Sequence, residues 1–139
     1  MEFTAVVEPK MTASPKTAMQ IERSEFQGGA VIVRIEGRFE FGTRHEYKRL
    51  IGQIVQEGHL RLVLDLEGVT FLDSSALGLL LLTDQNFKLK KGSVSLVKPT
   101  GYVRQVIELA NLPRVIPVYD SVDEAVAGPA KTALRSPIG

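Results

Sequence analysis

The apolar positions along the chain change period several times, and each change marks an element. Met19 to Phe26 and Ala30 to Glu36 are β-leaning runs separated by Gln27, Gly28 and Gly29, and Val31, Val33 and Ile35 alternate along the second. That is the pattern of a hairpin. After Gly37, the residues Tyr47, Leu50, Ile51, Ile54 and Val55 lie on one face of a helix from roughly Arg44 to Glu57,. Thr43 with Glu46 has capping-box spacing at its start, and Gly58 supplies its stop,. Leu60 to Leu66 is a short apolar run before Gly68, suited to a central strand covered on both faces,. Phe71 to Leu82 lead into a second helix, apolar on most sides near its start, that continues to Gly92. Ser93 to Val97 reads as a strand, and Pro99 and Thr100 introduce a third helix bearing Val103, Val106, Ile107 and Ala110 before Pro113. Val115 to Tyr119 reads as a last strand, and Ser121 with Glu124 starts a final short helix through Val126,. Strands alternating with helices at this spacing imply βαβ crossovers, so the class is α/β, with a mixed sheet of about four or five strands and about four helices packed against it. Residues 1–17, with Pro9 and Pro15, and 128–139, with Pro129 and Pro137, lack periodicity and read as flexible segments flanking a domain at 18–127,.

Composition narrows the chemistry. A chain of 139 residues suits one domain with one core,. Seventeen basic and sixteen acidic residues leave a net charge of +1, so no global field favours nucleic acid, an anionic membrane or an acidic substrate,. Lys88, Lys90 and Lys91 suit the negative end of the second helix better than they suit a nucleic-acid patch,. With no Cys and only His45 and His59, the chain lacks thiolate chemistry and the usual zinc ligands, and neither metal nor cofactor is expected,. Met1, Glu2 and Phe3 open no signal peptide, and the longest apolar stretch, near Leu77 to Leu82, is too short to span a bilayer,. The expected location is the cytoplasm.

Asp73, Ser74 and Ser75 carry the most information. All three are good N-cap types standing together at the entrance of a leucine-rich helix, which can use only one of them,. Capping by one, with the others tolerated by the turn, accounts for the triplet structurally, but the surplus of polar groups asks for a further use. Ala76 and Gly78 lie one turn inside, where small residues allow either tight packing within the domain or close approach by another surface. Gly78 costs about 1 kcal/mol of helix propensity against Ala.

The element order, the Gly37 turn before helix one, the strand residues Leu62, Val63, Leu64 and Asp65, and above all the string Phe71, Leu72, Asp73, Ser74, Ser75, Ala76, Leu77, Gly78 resemble the STAS domains. The resemblance spans about residues 18 to 127 and is greatest to the stand-alone anti-sigma factor antagonists of bacterial partner-switching systems. It implies a non-enzymatic phosphoprotein of signal transduction and transcription regulation. In that family the phosphoacceptor directly follows the Asp, which carries over to Ser74, with Ser75 as the runner-up. The implied docking surface is Asp73, Ser74, Ser75, Ala76 and Gly78. The implied partners are an anti-sigma factor or serine kinase, bound by the unphosphorylated form so that a sigma factor is released, and a PP2C-type phosphatase acting on phospho-Ser74. Neither nucleic acid nor membrane is expected as a partner, and the free protein is expected to be a monomer. Phe39, Glu40, Phe41 and Gly42 stand where other members usually have an Asp-containing loop, and look like the subgroup of Gram-negative bacteria. Phe39 and Phe41 either anchor a partner or close the bottom of the core, and the second reading is the favoured one. The alternative function is a constitutive scaffold or regulatory subunit of a signalling complex, in which Ser74 is only a cap.

An enzyme is not expected. Ser74 as nucleophile with His45 or His59 as base and Asp73 or Asp65 as orienter lacks the Gly-x-Ser-x-Gly elbow, and neither histidine is placed by sequence to reach it,. Neither Gly-x-Gly-x-x-Gly nor a Walker lysine follows any strand,.

Overall fold

The alternating runs at the start form the expected hairpin: β1 (Met19–Glu25) and β2 (Val31–Phe39) pair antiparallel, with Met19 opposite Gly37 and Glu25 opposite Val31. These elements come from a computed structural model, which describes residues 19–26 and 28–135. There follow α1 (Arg44–Gln56), β3 (Arg61–Leu72), α2 (Ser74–Leu89), β4 (Ser93–Val97), α3 (Gly101–Leu109), β5 (Val118–Tyr119) and α4 (Val122–Arg135). The sheet order is β1-β2-β3-β4-β5, with β2 to β5 parallel. This is the five-stranded mixed sheet with four helices that the periodicity implied.

Three successive parallel strands added in one direction, each through a right-handed crossover, place their helices on one face. The main core confirms it. Tyr47, Ile51 and Ile54 of α1, Leu80 and Phe87 of α2, and Val103 and Ile107 of α3 pack with Val31, Val33 and Ile35 of β2, Leu62, Leu64 and Leu66 of β3, and Leu96 of β4. On the opposite face Ala125 of α4 packs with Ala30, Ile32, Val63 and Val97, and Arg61 donates a hydrogen bond to the Val126 carbonyl. Two-sided cover explains why residues 30–33 are buried without alternation, whereas Arg34 and Glu36 beyond α4 are exposed.

Four boundaries differ from the periodicity. β3 does not end at Leu66 but continues to Leu72. Its pairing with β2 is irregular between Arg34 and Glu36, and Gly68 lies opposite Glu36, where an added Cβ would come within 2.6 Å of the Glu36 Cγ. Gly68 therefore bends the strand rather than ending it. Gly37, at φ +95°, likewise sits at a register shift within β2, not at its end,. The last strand is only Val118–Tyr119, because Leu112–Arg114 form a 3₁₀ turn that buries Leu112 and Ile116. Finally, α4 runs past Val126 to Arg135, so much of the segment expected as a flexible tail from residue 128 is helical. Residues 1–17, expected to be flexible, and 136–139 lie outside the described residues.

Candidate docking site at the start of helix α2

The carboxyl ends of the parallel strands and the amino ends of the helices that follow them share one edge of the sheet, and the Asp73 to Gly78 string lies there. Asp73 is the N-cap of α2. Its backbone is extended, at φ −108° and ψ −177°, and its Oδ1 accepts from the Ala76 N–H at 2.9 Å. The competition among three capping types is thus settled in favour of the carboxylate. Ser74, the first helical residue, is exposed and Ser75 half-buried, and among the described residues neither hydroxyl makes a hydrogen bond. Gly78 is exposed, with nothing within 4 Å of where a Cβ would stand. Ala76 is different. It is fully buried in the main core, so its small size serves packing within the domain and it presents nothing to a partner, contrary to its place in the expected surface.

The other oxygen of Asp73 reaches across the edge: Oδ2 accepts from the Phe41 N–H at 3.0 Å. Phe41 opens a 3₁₀ turn, Phe41–Thr43, between β2 and α1. The residue is 60% exposed, its ring lies under the Arg44 guanidinium, 3.7 Å from centroid to Cζ, and its carbonyl accepts from Arg44 Nη1 at 2.7 Å. Thr43 closes the turn. Its hydroxyl donates to the Arg38 carbonyl at 2.7 Å and accepts from the Glu40 N–H at 3.1 Å, in place of the expected capping box with Glu46. Phe39 and Phe41 therefore have opposite fates: Phe39 is fully buried against Tyr47, with ring centroids 4.8 Å apart, and Phe41 is not in the core. On the same edge Arg38 lies 4.2 Å over the Phe71 ring, which stacks on half-exposed Tyr102 at 6.2 Å. Two cation–aromatic units thus accompany Ser74, a composition typical of protein-binding surfaces.

The candidate catalytic partners are not assembled. His59 lies before the start of β3 and Ser74 after its end, twelve residues of strand apart, which is about 40 Å at an extended rise,. The His59 ring is held by Glu57 at 3.2 Å. His45 is exposed in the first turn of α1. Buried Asp65 faces away from the core of α1 to α3, with Arg34 at 3.7 Å and Lys98 at 3.8 Å. No cluster of three metal-ligating side chains occurs among the described residues, and none of their helices is long and apolar enough to cross a membrane.

The family model described as "STAS domain" matches residues 23–125. The chain belongs to the STAS domain family. A STAS-domain containing protein of Pseudomonas aeruginosa is 30% identical over 91 residues, covering 66% of this chain and 89% of that one. The anti-sigma F factor antagonist of Paenibacillus polymyxa is 27% identical over 104 residues, covering 74% and 88%. Among solved structures, an anti-sigma factor antagonist from Mycobacterium paratuberculosis superposes with a TM-score of 0.73 at 25% identity, covering 80% of this chain and 93% of that chain. The Asp73 tether to Phe41 and the exposure of Phe41 are the features that sequence reasoning missed. The one signal for them was the pair of aromatics, Phe39 and Phe41, two residues apart before α1.

Proposed function

We propose that this STAS protein is an anti-sigma factor antagonist: unphosphorylated, it docks on an anti-sigma factor or switch kinase and so frees a sigma factor, and phosphorylation of Ser74 ends the binding. The observation that carries the reading is the division of labour at the start of α2. Asp73 alone supplies the cap, which leaves the exposed Ser74 hydroxyl without a structural task. The names of the curated and solved relatives support the same role.

The mechanism needs no chemistry from this chain. A phosphate on Ser74 adds about −1.5 to −2 charges beside the Asp73 carboxylate. In the free protein the amino end of a sixteen-residue helix and open solvent hold that charge, so the fold survives,. In the complex the phosphate is desolvated next to a carboxylate, with no cation assigned to it, and binding is lost. A near-complete switch requires a difference of about 5.5 kcal/mol between the two forms, within reach of one buried, uncompensated phosphate. A PP2C-type phosphatase resets the protein.

The test is calorimetry of wild type, Ser74→Ala and Ser74→Asp against the anti-sigma factor or switch kinase encoded nearest to this protein, with circular dichroism to show that all three fold. Wild type and Ser74→Ala bind alike, and Ser74→Asp loses at least about tenfold in affinity, or about 1.4 kcal/mol. Equal binding by all three variants refutes the phosphoswitch and establishes the constitutive scaffold.

A further inference from the structure

We infer that Asp73 is a positioning residue as well as a helix cap, and that what it positions, the exposed Phe41 side chain, is the apolar anchor of the docking surface. The inference rests on the docking reading above. It starts from a chemical surplus. N-capping requires one acceptor oxygen, and Asn and Ser cap about as well as Asp. At this site both carboxylate oxygens are in use, Oδ1 on the Ala76 N–H at 2.9 Å and Oδ2 on the Phe41 N–H at 3.0 Å. Asn and Ser each offer one acceptor oxygen, whereas a carboxylate offers a separate oxygen to each of these two donors,. The cap explains a polar residue at position 73, and the tether to Phe41 explains a carboxylate.

The tethered residue is built like an anchor. Phe39, two residues earlier, is completely buried, but Phe41 exposes 60% of its surface and takes no part in the core. It is nevertheless fixed from three sides: the Asp73 carboxylate on its N–H, Arg44 Nη1 on its carbonyl at 2.7 Å, and the Arg44 guanidinium 3.7 Å over its ring. An exposed aromatic held in advance loses little conformational freedom on association, which is the property of binding hot spots. Its complement is a protein surface with an apolar pocket for one phenyl ring and a carboxylate at the rim to meet Arg44. Because Ser74 is bonded to Asp73, anchor and phosphoacceptor enter the same interface together.

Two cap-competent substitutions, Asp73→Asn and Asp73→Ser, separate the tether from the cap, and Phe41→Ala removes the anchor from an exposed position. In Asp73→Asn and Asp73→Ser thermal unfolding stays near wild type, while hydrogen exchange of the Phe41 amide, followed by NMR on the protein alone, speeds up relative to wild type and Ser74→Ala. Against the partner protein of the calorimetric test, Phe41→Ala and Asp73→Asn each lose about tenfold in affinity, and the double variant loses no more than the worse single one. Full affinity of Phe41→Ala, with Ser74→Asp still impaired, overturns this inference and leaves the phosphoswitch standing. Additive losses in the double variant, or a Phe41 amide equally protected in both Asp73 variants, overturn the positioning role. No binding even by wild type overturns the docking reading itself.

Discussion

The buried pair Tyr47 and Thr83 allows a prediction in which two conservative substitutions differ in cost for a reason visible in the hydrogen bonds. Tyr47 is 1% exposed on α1, and its hydroxyl lies 2.7 Å from Thr83 Oγ1 on α2. Thr83 Oγ1 is also 2.7 Å from the Leu79 carbonyl, which can only accept. The Thr83 hydrogen therefore goes to Leu79, and Tyr47 donates to Thr83. Tyr47→Phe removes the donor and leaves Thr83 still bonded to Leu79, a loss of about 1 kcal/mol, the net worth of one hydrogen bond. Thr83→Val keeps the shape but strands the Tyr47 hydroxyl in the core, which costs about 2 kcal/mol for desolvation without a partner. The double variant leaves no donor unpaired and lies close to Tyr47→Phe alone. Urea denaturation followed by circular dichroism at neutral pH reads all three differences. Additive losses in the double variant, or Tyr47→Phe costing more than Thr83→Val, would refute the assigned direction of donation. The pair has a further signature in alkali. Burial raises the Tyr47 pKa well above its ordinary value. Folding thus favours the neutral phenol, so this contribution is complete below the unfolded pKa of about 10 and declines as pH rises above it, by up to about 1.4 kcal/mol per pH unit. Tyr47→Phe flattens that part of the stability curve.

Three further outcomes follow from the geometry. Gly78→Ala has open space for its methyl group and gains about 1 kcal/mol of helix propensity,; melting temperature rises while affinity for the partner falls, and a rise in both contradicts a close approach at Gly78. Gly92→Ala drives a methyl group into the Leu60 carbonyl, whose backbone cannot yield because it accepts from the Ser93 N–H at 2.8 Å; a loss of about 2 kcal/mol in urea unfolding is expected. The Glu57 carboxyl is held below its ordinary range, first by the Arg23 side-chain hydrogen bond at 2.9 Å, against a smaller opposing effect of burial. That contribution is present above the unfolded value of about 4.3 and is lost as pH falls through the lower folded value; NMR titration of Arg23→Ala shows Glu57 moving up toward the ordinary range, with His59 still holding it down.

The elements most legible in the sequence were those whose side chains repeat toward one core. The Tyr47 to Val55 stripe gave α1 to within a residue, and the Val31 to Ile35 alternation gave the hairpin. The Ser121 cap is also real: its Oγ accepts from the Glu124 N–H at 3.0 Å. The misjudged positions were those where a local signal had a long-range purpose. Gly68 looked like the end of a strand because nothing local shows the Glu36 side chain pressing on it. Thr43 is the N-cap residue of α1 as expected, but its hydroxyl serves the turn before it and makes no capping bond to the helix. Val115 and Ile116 have strand-like side chains, yet the preceding turn buries Ile116 and points half-exposed Val115 outward. At the candidate site, the string from Asp73 to Gly78 was legible as a helix entrance, but not which capping type won, nor that Ala76 faces inward. The tether to Phe41 spans 32 positions and leaves no periodic trace.

The strand order has a consequence for how the chain assembles. Spatial order and chain order coincide across all five strands, so every strand from β2 onward finds its neighbour already made. Only the β1–β2 hairpin closes through a short loop; each parallel pairing, such as Val31 with Leu62, waits for a whole crossover helix, so the sheet grows more slowly beyond the hairpin,. A chain emerging from the ribosome can extend this sheet one strand at a time, with each crossover helix covering the strands just laid down. The exception is α4: made last, it covers Ile32 and Val63 on strands formed long before it. Until that helix arrives, the second face of the sheet stands bare, and a ribosome stalled ahead of residue 122 holds a nascent chain with an uncovered apolar surface.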